Sequence, residues 1–200
     1  MTKHPSLHHL AHFCAYRVLG TSENTTIEIL LTRNNFWNAK ENKPRDFAGE
    51  WMFPSLHYKQ GDLSLVNTAS RAFREQLSYS GVFHGLSFIR SYDDSFYDEQ
   101  YHEEYYAAQL DSHEFTLPEN GPLIEYRWFS IPAASEYISS DAFSVEQKRA
   151  FREHGLNDAC LGPHALFIRQ LPLQTLDVLL RLREMPHLLY AIPVEREVFR

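Results

Sequence analysis

The sequence predicts an α+β fold: one mixed sheet covered by helices on its faces. Three observations predict it. The apolar patterns run in the order strands, helix, strands, helices. One segment, residues 65–77, carries apolar residues at spacings of three and four, the period of an amphipathic helix. The chain has 200 residues, 44% of them hydrophobic and 22% charged, which suits a single domain with an ordinary core.

The elements follow in order. "HLAHFCAYRVLG" (9–20) reads as a strand ending at a glycine. "TTIEILLTR" (25–33) is a second strand, β-branched and then aliphatic, and pairs with the first across the polar turn "GTSEN". Residues 34–46 are polar with a proline and read as a loop, long enough for a lid or specificity loop. "EWMFP" is a short apolar piece stopped by Pro54. In the helix, Leu65, Val66, Ala69, Ala72, Phe73 and Leu77 form one stripe, with Arg71, Arg74, Glu75 and Ser78 off it and Gly81 as the stop. Strands are expected at 82–92, 101–110 and 123–131, the first two separated by the acidic, aromatic loop "DDSFYDEQ". Helices are expected at about 133–141, 144–154 and 172–184, with "CLGPHALFIRQLPLQ" linking the last two.

The net charge of −7 argues against a general nucleic-acid binder, but a local pocket can still take a small anion. Cys14 and Cys160, the two cysteines, give neither a disulfide framework nor a zinc motif, which suits a reduced, cytoplasmic setting. No signal peptide is apparent, and no apolar run approaches the roughly 20 residues that span a bilayer.

"GEWMFP" (49–54), "AFREQLSYSGV" (72–82) and "EYRWFSI" (125–131) together resemble the Nudix superfamily. Its signature is G-x5-E-x7-R-E-U-x-E-E-x-G-U, with U aliphatic, often after W-x-F-P-G. The resemblance covers about residues 8–140 and leaves a helical C-terminal extension of about 141–200. It implies an α/β/α sandwich with a mixed sheet and a signature helix beside a ligand cleft. It also implies hydrolysis of a nucleoside diphosphate linked to another group, with magnesium or manganese held by converging carboxylates.

The helix fits the signature in two registers. In one, Arg74 and Glu75 stand at R-E and Gly81-Val82 at the closing G-U, so Ser78 and Tyr79 replace the paired glutamates. In the other, Arg71 and Ala72 stand at R-E, Glu75 and Gln76 at E-E, and Ser78 replaces the glycine. Both leave Glu75 as the surviving helix carboxylate. Ser55 and Leu56 replace the loop's glycine pair, so the loop is expected to take a different path.

Three functions stay open. The first is a Nudix-fold protein with a degenerate box that binds a nucleotide-like ligand, another small ligand or a protein partner, with conventional hydrolysis impaired or lost. The second is an active hydrolase with relocated carboxylates, metal lying on Glu75, Asp62 and Glu103 or Glu104. The third is a metal-independent enzyme using His57 or Glu75 as acid or base. Glu75 and His57 are the catalytic candidates. Arg33, Phe53, Ser55, Arg74, Tyr101 and Glu103 form the ligand-binding set, and Glu75, Asp62 and Glu104 the metal set for the hydrolase alternative. No cofactor is firmly implied, and magnesium or manganese enters with the hydrolase.

Against each stands a plainer reading. Arg71 and Glu75, four residues apart, can simply pair on the helix. His8 and His12 share a strand face but lack a cysteine or carboxylate at ligand spacing. Residues 51–62 hold no cysteine, which argues against the isopentenyl diphosphate isomerases of the same fold. The expected partner is a small phosphate-containing ligand, with no nucleic acid and no membrane. The helix at 172–184 reads as packing or a homodimer contact.

Overall fold

The computed structural model describes residues 6–20, 26–38, 40–45, 49–96, 99–110, 115–139 and 165–184. The strands are β1 (Ser6–Leu19), β2 (Thr26–Asn34), β3 (Trp37–Asn38), β4 (Lys43–Pro44), β5 (Trp51–Met52), β6 (Ser55–His57), β7 (Phe83–Phe96), β8 (Glu99–Leu110) and β9 (Leu123–Ser130). The helices are α1 (Leu65–Leu77), α2 (Ile131–Ser139) and α3 (Ala165–Glu184). The main sheet has seven strands in the order β5-β2-β1-β8-β7, with β6 added to β1 and β9 to β2. β1 and β8 run parallel and the other pairs antiparallel, so the sheet is mixed.

Alternation along β1 sorts the core into two layers. Ala11, Phe13 and Ala15 face α1 and pack with Ala69, Phe73 and Leu77. Cys14 and Tyr16 face the other way and pack with Ile131, Ala134 and Ile138 of α2 and Val178, Leu179 and Leu182 of α3. This is the expected α/β/α sandwich with a mixed sheet and a C-terminal helix.

The "WMFP" piece is a wedge. β2 leaves β1 beyond Tyr16↔Ile29, and residues 50–57 fill the gap. Its backbone is bonded on both sides: the Phe13 amide donates to the Pro54 carbonyl at 2.9 Å and the Asn34 amide to the Glu50 carbonyl at 2.9 Å. Gly49 turns the chain into the wedge at φ 71°, where a side chain would run into the Phe36 ring. Leu56 avoids left-handed backbone altogether: Ser55–His57 is extended and pairs antiparallel with Leu10–His12.

Five sequence expectations are corrected. Gly81 does not stop α1; Ser78 does, in the left-handed conformation at φ 51°, with the Tyr79 amide returning to the Arg74 carbonyl. "DDSFYDEQ" is not a loop over its described residues. β7 runs to Phe96 and β8 starts at Glu99, because Asp93 stands opposite His102 and is bonded to it at 2.6 Å. Residues 34–46 contain the small β3–β4 ladder. α2 begins at Ile131, with Pro132 in its first turn, where a missing N–H costs nothing. α3 begins at Ala165 and runs through Pro172, so that part of the expected link is helical. The helix expected at 144–154 and Cys160 lie outside the described residues.

Candidate functional site

The site is built where the 57–62 segment meets α1. Gly61, at φ 115°, bends the chain so that Asp62 turns toward the helix. Arg71 grips Asp62 with two parallel bonds, Nε to Oδ1 at 2.9 Å and Nη2 to Oδ2 at 2.8 Å. Such forked, charge-assisted pairs fix geometry as well as energy. The Thr68 hydroxyl and the Lys59 amide also donate to Asp62 Oδ2, at 2.8 and 3.2 Å. The Arg71 bonds, then those of Thr68 and the Lys59 amide, hold the Asp62 carboxyl well below the usual carboxylate range, against the opposing effect of burial.

Arg71 reaches further. Its Nη2 donates to the His57 carbonyl at 3.0 Å and its Nη1 to Glu75 Oε2 at 3.3 Å. Lys59 Nζ lies 3.7 Å from the other Glu75 oxygen. Two cations and two carboxylates thus neutralise one another in a clasp that ties the loop to α1. One turn on, Gln76 is buried and donates from Nε2 to the Ser55 carbonyl at 2.8 Å, pinning β6 to the helix.

These contacts bear on the two helix registers. The second gives Arg71 the signature arginine position and Ser78 the closing glycine. Ser78 has the positive φ that a glycine position accommodates, and Gly81 does not. Asp62, the acid that Arg71 holds, lies six residues after Leu56, the G-x5-E spacing, but eight residues rather than the signature's seven separate it from Arg71.

The three carboxylates of the metal set are not brought together. Asp62 is engaged by Arg71 and Thr68, and Glu75 by Arg71 and Lys59. Glu104 is on another strand, bonded to His102 at 3.2 Å and to the Tyr106 hydroxyl. Among the described residues no three His, Cys, Asp or Glu side chains converge as a metal site requires.

His57 and Tyr101 do come together. They line a pocket of about 410 Å³ with Leu7, His8, His9 and Tyr58 at the outer end of the sheet. His8 stacks on Tyr101 with centroids 5.1 Å apart and meets His57 edge-on at 5.8 Å. This grouping follows from the parallel register His8↔Tyr101. The sequence placed His8 only in a metal context, and nothing local signals its partner, 93 positions along the chain.

The remaining ligand candidates are set apart. Arg33 donates to the Gly49 carbonyl at 3.3 Å and lies over the Phe36 and Trp51 rings. Arg74 lies 4.5 Å over the Phe83 ring and donates to the Tyr79 carbonyl, clasping the chain after α1. Ser55 is in β6, beside His12. Phe53 and Glu103 are buried, Phe53 edge-on to Tyr105 and Glu103 bonded to His12 at 3.0 Å.

An α/β/α sandwich whose wedge strand leads through a loop onto a clasped helix defines a known class of fold. Among solved structures the chain is similar to the MutT protein of Methanosarcina mazei Go1, at 16% identity and a TM-score of 0.51, over 76% of this chain and 99% of that one. A mutT/nudix family protein from Listeria innocua gives 18% identity and 0.48, over 76% and 96%. The C. elegans Ap4A hydrolase gives 16% and 0.48, over 74% and 98%. The chain has the Nudix fold. No family model and no curated protein matches its sequence.

Proposed function

We propose that this protein binds a nucleotide-like, phosphate-containing ligand at the His57–Tyr101 pocket, with a degenerate Nudix box and impaired metal-dependent hydrolysis. The observation that carries the reading is the Arg71 clasp. It commits Asp62 and Glu75, the acids nearest the signature positions, to cations of the chain itself. A hydrolytic ion needs several free carboxylate oxygens at one point. The pocket beside the clasp offers aromatic rings for a planar group.

The test is a thermal-shift panel of nucleotides, sugar nucleotides and dinucleotides, with and without magnesium. A ligand at 100 times its Kd adds about 2.7 kcal/mol, a rise of roughly 5–10 °C for a chain of this size. We expect a metal-independent shift that Tyr101→Ala removes. Shifts that require magnesium, accompanied by product, would instead support the active hydrolase.

A further inference from the structure

The sheet face that begins at His8 and Tyr101 continues inward. The registers of β1, β6, β7 and β8 place His57, Leu10, Glu103 and Tyr92 in the next row of that face. Ser55, His12 and Tyr105 follow in the row after. Residues two apart along a strand share a face and stand about 7 Å apart. Glu103 is therefore one step inward from the pocket's stacked pair.

Glu103 is fully buried, at 0% exposure. Oε2 lies 3.0 Å from His12 Nε2 and accepts the Tyr105 hydroxyl at 3.3 Å. Oε1 has no hydrogen-bond partner among the described residues. An acceptor buried without a partner is destabilising, the more so when charged. The neighbours are committed. His12 lies flat on Tyr105, 4.1 Å between centroids and 2° between planes. Gln174 of α3 uses both ends of its amide, accepting from the Tyr105 hydroxyl and donating to Asp94.

We propose that Glu103 Oε1 is the inner contact of the pocket and accepts an N–H from an amino-substituted ring, the ligand's phosphates staying at the open mouth. This rests on the nucleotide-binding reading above. Charge sets the polarity. The inner row carries the Glu103 carboxylate; Asp94, opposite Tyr101 in the outer row, is held by Gln174 and is raised by burial first and then by the charge on Glu103. Arg90, opposite Tyr105 on β7, is paired with Asp177. An anion is repelled there, whereas a neutral ring bearing N–H donors is accepted. Leu10 stands between His57 and Glu103 in that row and offers the ring an apolar floor.

The test is titration calorimetry of the full chain with ADP, GDP and CDP against purine riboside 5′-diphosphate, whose ring carries neither an amine nor an N–H. We expect at least one amino-bearing diphosphate to bind about tenfold or more tighter than the purine riboside compound. In Glu103→Gln the amide oxygen takes the His12 and Tyr105 bonds and an N–H donor replaces Oε1, so that ratio should fall to near unity. Equal affinities in the wild type, which need no variant to fold, would overturn the proposal and leave the nucleotide-binding reading standing. A ratio unchanged in a folded Glu103→Gln would do the same. No binding of any of the four would overturn both.

Discussion

Asp62 is a loop acid held by the chain's own donors. It stands at the spacing of the signature's loop acid, yet both oxygens are taken by Arg71 and Thr68. A pH signature follows. The folded Asp62 carboxyl is held below its unfolded value of about 3.9, so its contribution is present above that value and is lost as pH falls through the folded one. In acid titrations of stability below about pH 4, Asp62→Asn should be less stable than wild type at neutral pH and show a shallower acid slope. Equal slopes would mean that the fork is not formed in solution. The Arg71–Glu75 pair was legible from its i, i+4 spacing. The Arg71–Asp62 fork was not, because it depends on the bend at Gly61.

At the scale of elements, α1 was legible in its bounds and nearly all of its stripe: Leu65, Ala69, Phe73 and Leu77 pack on the sheet and Ala72 is buried, whereas Val66 is only half-buried. Its last residue, Leu77, was legible too, but the stop was assigned to Gly81, whereas Ser78 takes the left-handed turn. Phe73 anchors the helix among Phe13, Tyr79, Phe83 and Phe115. Truncation in such a site leaves a cavity, so Phe73→Ala should cost about 3–5 kcal/mol in denaturant unfolding. The wedge should be sensitive at Gly49. Alanine there meets both a positive φ and the Phe36 ring, and Gly49→Ala should destabilise by about 1–3 kcal/mol. A neutral result would show that the turn into β5 is built differently. The β7–β8 hairpin was underestimated because its tip is acidic, and composition does not show that Asp93 faces His102 across the ladder.

For the whole molecule, the decisive contact is the parallel pairing of β1 with β8. It joins His8 to Tyr101 and His12 to Tyr105, and brings Glu103 onto the same face; no local pattern encodes which distant strand lies alongside. The layers were legible from the order of patterns, and the pocket was not. No helix among the described residues is long and apolar enough to cross a membrane. The central claim is that the clasp has taken the carboxylates a hydrolytic ion would need. The most direct measurement is product release from a panel of nucleoside-diphosphate compounds with magnesium or manganese, wild type against Glu75→Gln. The account predicts no metal-dependent turnover in the wild type above that of the variant. Robust magnesium-dependent turnover that Glu75→Gln abolishes would contradict it.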